Sequence, residues 1–177
     1  MNIDYNAIIS VTAVITSITA IYSIRDESRR STYNLGVNLL FKLNDIFNSP
    51  DFIRKRKKAA KFLLKKPDLN KWDCVEVEDV LDFFEMIGSL TRKRVIDKTL
   101  AWEFYVYWLD FYYIITKEYI EYCNVDNPGT WEDLVWLYKK FVQITIKDQG
   151  KPYIPPTHEQ IHRFLRSYEG KLAVNSK

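Results

Sequence analysis

The segment that decides the fold is VLDFFEMIGSLTRKRVIDKTLAWEFYVYWLDFYY, residues 80–113. Its first part repeats large apolar side chains every three or four residues, which predicts an amphipathic helix over Val77–Leu90. After the charged corner TRKRVID, a longer helix is predicted at about Lys98–Tyr122. Because this second helix is apolar on most sides, we expect it to be buried at the centre of a helical bundle.

The core of that central helix is predicted from the spacing of its aromatic residues. One row has steps of three or four throughout: Phe104, Trp108, Phe111, Ile115, Tyr119 and Tyr122. A second row lies beside it: Trp102, Tyr105, Leu109 and Tyr112. Since both rows follow the helical period, we interpret them as core and not as a platform for stacking nucleic-acid bases.

The rest of the chain also favours helices, because glycine (5) and proline (6) are scarce among 177 residues. Turn and capping residues place the helix boundaries. Three helix starts are predicted from such signals: Ser49-Pro50-Asp51, Thr130 with Asp133, and Thr157 with Gln160. The predicted fold is all-α, with an N-terminal transmembrane helix followed by a bundle of about five or six helices.

The transmembrane prediction concerns residues 5–24, twenty residues without a charge between Asp4 and Arg25. As a helix this segment would be about 30 Å long, which matches the hydrocarbon core of a bilayer. Residues 1–4 would then be a short extracytoplasmic N-terminus. Residues 25–48 would form a juxtamembrane helix, residues 49–170 a cytosolic helical domain, and residues 171–177 a disordered tail.

The orientation of the span is predicted from Arg25, Arg29 and Arg30, which follow it directly. Because an excess of Lys and Arg stays on the cytoplasmic side, the N-terminus should face outward and the bundle should face the cytosol. The two cysteines, Cys74 and Cys123, show no disulfide or metal spacing, and we interpret them as reduced thiols of a cytosolic domain.

A row of small hydroxyl residues occupies one face of the predicted span: Thr12, Thr16, Thr19 and Ser23. Such residues let two spanning helices approach closely and form hydrogen bonds, which would favour self-association. A hydroxyl-lined pore is a second hypothesis. The third is that a weakly hydrophobic anchor simply carries these residues.

Charge is concentrated after the span, since residues 25–66 hold 12 Lys and Arg against 4 Asp and Glu. Most of this excess belongs to one predicted helix with six candidate contacts for anionic lipid: Arg54, Lys55, Arg56, Lys57, Lys58 and Lys61. Phosphate contacts to nucleic acid are a weaker alternative, and we expect no nucleic-acid partner. The same pattern also suits the solvated face of a bundle helix.

One short motif resembles a catalytic site. His158-Glu159-Gln160-Ile161-His162 matches the H-E-x-x-H pattern in which two histidines bind zinc and the glutamate acts as a base. A third ligand at the usual downstream positions is absent from the sequence, because Leu165 and Tyr168 stand there. A capping box between Thr157 and Gln160 explains the segment without a metal. We therefore expect no metal and no cofactor.

Three carboxylates lie on apolar helices and could form a buried site: Glu85, Glu103 and Asp110. We expect them instead to pair with basic residues at the helix corner, namely Arg92, Lys93 and Arg94. The sequence shows no glycine-rich phosphate loop and no Ser/His/Asp or Cys/His arrangement. These observations argue against an enzyme.

With the helices laid out, the chain resembles an uncharacterised bacterial family named domain of unknown function 4760. The similarity is carried by Phe83-Phe84-Glu85, by Gly88 and by the downstream Trp108, and it covers roughly residues 5–145. The resemblance implies an all-α fold and a membrane anchor, hence the inner membrane of a bacterium. It implies no activity.

These features together predict a non-enzymatic, membrane-tethered module that binds an unknown protein partner or a second copy of itself. An alternative function is a membrane-perturbing effector of a phage-defence or stress system, which would act through its hydroxyl-bearing span. A minor alternative is a zinc hydrolase using His158 and His162.

Overall fold

The computed structural model describes residues 5–69 and 72–170, and within this part of the chain six helices and no strands are present. The predicted all-α class is confirmed for these residues. The predicted N-terminus (1–4) and disordered tail (171–177) lie outside them. In chain order the helices are α1 (Tyr5–Phe47), α2 (Pro50–Leu63), α3 (Val75–Arg92), α4 (Lys98–Asp126), α5 (Glu132–Gln149) and α6 (His158–Gly170).

Helix α1 is one continuous helix of 43 residues, so it is about 65 Å long. It ends where predicted, because Ser49 accepts a hydrogen bond from the Phe52 amide (3.2 Å) and Pro50 opens α2. Only the last three turns of α1 are buried in the bundle. Between Ser23 and Leu35 every described side chain is exposed.

The C-terminal turns of α1 approach the corner between α3 and α4 very closely. A Cβ atom on Gly36 would lie 2.3 Å from the Val95 carbonyl oxygen, so this contact requires glycine. Below it, three apolar side chains enter the core: Leu40, Leu43 and Phe47. The Phe47 ring contacts the rings of Phe83 and Tyr105 at centroid distances of 5.1 and 5.6 Å.

Among the described residues, no helix is both long enough and apolar enough to cross a membrane. This finding does not support the predicted span over residues 5–24.

Helix α4 packs against α1, α3, α5 and α6, and its two predicted rows are buried to different extents. The fully buried line is the second predicted row, through Tyr105, Leu109 and Tyr112. In the first predicted row Tyr119 is buried, Tyr122 is exposed, and the rest are half-buried at the rim. Both rows thus contribute to the core except at Tyr122, but a helix that is apolar on most sides does not indicate by periodicity which row is buried more deeply.

Helices α3 and α5 approach each other closely at the backbone. A Cβ atom on Gly88 would lie 2.3 Å from the Asp133 carbonyl oxygen, so the start of α5 rests directly on α3. Beside it, the Glu85 carboxylate accepts hydrogen bonds from the amides of Asp133 (3.2 Å) and Leu134 (2.7 Å). Glu85 thus satisfies two unpaired amides at the N-terminus of α5.

This arrangement replaces the predicted capping box of Thr130 with Asp133. The residue that precedes α5 is Trp131 in a left-handed conformation (φ 55°), and its side chain does not cap the helix. The Trp131 indole instead donates to Asp82 of α3 at 2.8 Å. A carboxylate from another helix supplies the cap, which local sequence spacing does not reveal.

Replacing Gly88 with Ala should destabilise the fold by about 1–3 kcal/mol, because the new methyl group meets backbone that has no room to move. Gly→Ala inside an unobstructed helix is normally stabilising, so the sign of the change is diagnostic. Urea denaturation measures the free energy of unfolding.

The matched control is Met86→Ala on the exposed side of α3, where the change should stay within about 0.5 kcal/mol. A Gly88→Ala protein as stable as the wild type would contradict the close contact.

Candidate functional site

The candidate site is the surface of α2 and α4 that α6 covers, which we call the α2–α4 groove. Its floor is formed by two sets of side chains, from α2 (Arg56 and Leu63) and from α4 (Trp108, Phe111 and Ile115). At one end lies a buried arginine, and at the other end lies an open cleft at the start of α6.

Arg56 is the buried charge of the groove, with 3% of its surface exposed. Its Nη2 donates to the Phe47 carbonyl oxygen in the last turn of α1 (2.9 Å), and its Nη1 approaches the Tyr168 hydroxyl of α6 (3.4 Å). The guanidinium also lies over the rings of Phe47 (4.0 Å) and Trp108 (4.8 Å). One side chain of α2 therefore contacts α1, α4 and α6.

No acidic side chain forms an ion pair with Arg56 among the residues that the structure describes, and its Nε has no hydrogen-bond partner there. A buried charge is costly unless other groups replace its water. Here the replacement comes from aromatic faces and from the negative C-terminal end of α1. Arg56 is stabilised only while α1, α4 and α6 remain packed around it.

Replacing Arg56 with Lys should cost more stability than replacing it with Met. Lysine keeps a buried charge but loses the planar stacking on Phe47 and Trp108, so we expect a loss of about 2–4 kcal/mol. Methionine removes the charge and leaves the Phe47 carbonyl unpaired, which should cost about 1–2 kcal/mol. Thermal and urea unfolding of both variants show which of them loses more stability.

The outer residue Lys61 of the same helix provides the matched control, since Lys61→Met changes charge and shape on the exposed face. Equal losses for the two Arg56 variants would show that the charge itself has no energetic role.

At the other end of the groove lies a cleft of about 840 Å³, between the end of α2, the middle of α4 and the start of α6. Its walls are mostly apolar, and Lys66, His158 and His162 stand among its lining residues. Lys66 Nζ lies 2.8 Å from His158 Nε2. Because an ammonium group can only donate, His158 Nε2 accepts this hydrogen bond.

Two residues of the H-E-x-x-H segment have protein partners. His158 Nε2 accepts from Lys66, and Glu159 pairs with Arg163 (2.8 Å) outside the cleft. Over the described residues, no group of three or more His, Cys, Asp or Glu side chains could hold a metal. The predicted capping box is confirmed, since Thr157 and Gln160 exchange two hydrogen bonds (2.7 and 3.3 Å).

The six basic residues predicted as lipid contacts differ in their burial and in their ion pairs. Three of them form ion pairs: Arg54 with Asp51 (2.7 Å), Lys55 with Asp79 (3.0 Å) and Lys58 with Glu76 (2.8 Å). Arg56 is buried and cannot belong to an exposed surface. Lys57 and Lys61 make no ion pair within the described part of the chain, so these two carry the unpaired charge of the helix.

The residues predicted to orient or pair the span lie at the edge of what the structure describes. Arg25 and Arg30 are exposed, and Arg30 pairs with Asp26 at 3.0 Å. Ser23 is exposed. The side chains of Arg29, Thr12, Thr16 and Thr19 lie outside the described side chains, so self-association through this row stays a prediction.

The predicted pairing of carboxylates with the basic corner is wrong. Arg92 instead pairs with Glu132 (2.9 Å) and Asp133 (2.8 Å) of α5. Glu85 caps α5, and Glu103 is exposed. Asp110 accepts a hydrogen bond from Tyr153 in the loop before α6, and Tyr153 in turn accepts from Tyr138 (3.1 Å).

Burial raises the pKa of Asp110, although the hydrogen bond from Tyr153 acts in the opposite direction. A carboxyl whose pKa is raised on folding stabilises the fold at low pH and loses that contribution as pH rises through its folded pKa. We therefore expect the wild type to gain stability relative to Asp110→Asn as pH falls from neutral towards about 4. Urea unfolding at several pH values measures this difference.

Tyr153→Phe removes the hydrogen bond that lowers the Asp110 pKa. The stability of this variant relative to Asp110→Asn should therefore depend on pH more steeply than that of the wild type. If the stability difference between the wild type and Asp110→Asn did not change with pH, Asp110 would have the same pKa in the folded and unfolded states.

One protein-family model matches most of the chain. The sequence model described as a domain of unknown function (DUF4760) matches residues 7–141. The chain belongs to this family. Comparisons with curated proteins and with solved structures found no match.

The residues that carry the DUF4760 resemblance have structural roles in this chain. Phe83 and Phe84 pack in the aromatic core, Glu85 and Gly88 hold the start of α5, and Trp108 lies beside Arg56. The matched region ends within α5, so it includes the α2–α4 groove but not α6.

Sequence reasoning missed Arg56 and the role of α6. Arg56 was grouped with the basic face, yet it follows Phe52 by four residues and precedes Ala59, Ala60 and Leu63 at helical spacing. That position on the apolar face was the available signal. Nothing in the sequence indicated that Tyr168 would reach it.

Proposed function

We propose that this chain is a non-enzymatic helical module, tethered to the inner membrane by the first half of α1, that binds a protein partner or a second copy at the cytosolic face. The observation that carries the proposal is the continuity of α1, which joins the uncharged segment to the bundle without a break. A helix of this kind would hold the bundle at a fixed distance from the bilayer.

The middle of α1 supports this arrangement. Its described side chains from Ser23 to Leu35 are exposed and largely polar or charged, as expected for a segment in water between membrane and bundle. The arginines at positions 25, 29 and 30 directly follow the uncharged segment, which favours a cytosolic bundle. The Gly36 contact would then fix the bundle at the inner end of this stalk.

A binding role is favoured over catalysis by the chemistry of the groove. Its groups are mostly aromatic and aliphatic side chains, with a buried guanidinium, a lysine-bound histidine and, in the cleft, His162, Asp68 and Glu118. Apolar surface with a few fixed polar groups suits recognition. Glu85 of α3 is engaged as a helix cap, and Asp110 of α4 as a hydrogen-bond acceptor for a tyrosine.

Cell fractionation tests the tether directly. Full-length protein expressed in bacteria should sediment with membranes and resist alkaline carbonate, requiring detergent for release. Val14→Arg with Ile18→Arg should move the protein to the supernatant, because each arginine near the centre of a span costs about 3 kcal/mol. Protease added to spheroplasts should leave residues 31–177 intact.

The matched control is Ile154→Arg, which places a charge on a loop side chain that is already 81% exposed. This variant should fractionate like the wild type. Wild-type protein in the high-speed supernatant without detergent would refute the tether.

A further inference from the structure

A second cleft, of about 530 Å³, lies where α1 meets the corner between α3 and α4, and we call it the corner cleft. Tyr33 of α1 and Thr91 of α3 line it, together with Arg94 and Lys98. Neither cation forms an ion pair within the part of the chain that the structure describes. The cleft is also lined by Asp97, whose carboxylate is engaged by two amides in the first turn of α4 (2.8 and 3.1 Å).

Arg94 stands at a position where the fold favours glycine. It follows the end of α3 in a left-handed conformation (φ 61°). Its amide donates to the Thr91 carbonyl group (3.0 Å), and the next amide donates to the Leu90 carbonyl group (2.9 Å). Helices that end in this arrangement usually have glycine here, because a side chain makes the left-handed conformation unfavourable. The arginine side chain is therefore kept at a cost to the local backbone.

Lys98 is also placed where the fold disfavours it. It is the first residue of α4, and the N-terminus of a helix carries a partial positive charge that repels a cation. Residues that conflict with their local structure are expected at functional sites. A third group of the corner cleft is unsatisfied, because the Thr91 hydroxyl is buried without a hydrogen-bond partner among the described residues. A bound anion would compensate both cations and would offer this hydroxyl an acceptor.

The corner is the end of the bundle that lies nearest the uncharged segment of α1. Gly36 packs on the Val95 carbonyl group of the corner, whereas Phe47, further along α1, lies in the aromatic core. Tyr33 follows Arg25 by eight residues, which is about 12 Å along a helix. The headgroup layer of one leaflet is about 5–8 Å thick. The remaining distance is shorter than the Debye length of about 8 Å, so charges of the corner would act on the lipid surface.

Helix α2, by contrast, runs along α3 away from the corner. Its Lys55 pairs with Asp79, and its Lys58 pairs with Glu76 in the first turn of α3. The corner follows Arg92, which lies 16 residues after Glu76 and hence about 24 Å from it along the helix. The basic residues of α2 are therefore at the opposite end of the bundle from the corner cleft.

We infer that the corner cleft binds the phosphate group of an anionic membrane lipid, with Arg94 and Lys98 as its partners. Guanidinium and ammonium groups form strong, charge-assisted hydrogen bonds with phosphate. The inference rests on the proposed tether, because the tether brings the corner to the headgroup layer. It assigns the lipid contact to the corner and not to the six basic residues of α2.

Lipid binding by two charge-matched variants tests this site. Full-length protein in neutral detergent is titrated with phosphatidylglycerol or phosphatidylcholine, and native mass spectrometry counts the bound lipids. The corner variant, Arg94→Gly with Lys98→Ser, should bind phosphatidylglycerol about 25-fold more weakly than the wild type, since each basic residue near an anionic surface contributes about fivefold. Phosphatidylcholine should bind the variant and the wild type equally.

The control variant, Lys57→Ser with Lys61→Ser, removes the same charge from α2, farther than a Debye length from the corner. Its affinity for phosphatidylglycerol should stay within about twofold of the wild type. Equal affinities of the wild type, the corner variant and the control variant for phosphatidylglycerol would overturn the site.

Urea unfolding separates a binding role of the two cations from a structural one. The corner variant replaces a left-handed arginine with glycine and removes a cation from a helix N-terminus. It should therefore unfold at the same urea concentration as the wild type or at a higher one. Unfolding at a lower concentration would show that the cations serve the fold, and would overturn the inference.

Glycerol 3-phosphate distinguishes a lipid from a soluble source of the same group. Wild-type affinities that are equal for glycerol 3-phosphate and phosphatidylglycerol would overturn the lipid assignment. The tether is judged separately by sedimentation. A protein found in the supernatant, whose phosphatidylglycerol binding still depends on the corner, would remove only the tether. A sedimenting protein whose variants all bind equally would remove only the corner site.

Discussion

The packing of this bundle depends on where the positive charge of Arg56 is placed. The guanidinium lies inside the protein, on the rings of Phe47 and Trp108, and donates to the carbonyl end of α1. A buried charge without a carboxylate demands that every surrounding group stay in position. That demand couples α1, α4 and α6 to α2, although α4 and α6 are far from α2 in the chain.

The second organising contact is the junction of α3 and α5, where Gly88 permits backbone contact and Glu85 caps the incoming helix. Both residues belong to the segment that carries the family resemblance. The residues that carry the family resemblance therefore have a structural role in this chain, because both hold helices together. The surface that this scaffold presents to α6 is the α2–α4 groove, and the proposed binding role is assigned to it.

The proposed membrane tether and the proposed binding surface lie in different parts of the chain. In the proposed function, the continuous α1 would set the position of the bundle relative to a membrane, and the groove would bind the partner. Ion pairs between α2 and α3, such as Lys58 with Glu76, engage part of the basic helix within the fold. Less charge is consequently left for a lipid surface than the sequence suggested, since Lys57 and Lys61 alone lie outside the buried or paired positions of the six.

The sequence by itself determined the helical class, the starts of α2 and α6 and the Thr157–Gln160 box, because periodicity and capping act over one or two turns. It could not decide which side of α4 is the core, that Glu85 caps α5, or that Arg56 is buried. Those outcomes depend on partners 9 to 112 residues away. Only tertiary packing brings such groups together, since their free energies depend on burial that no local window of sequence contains.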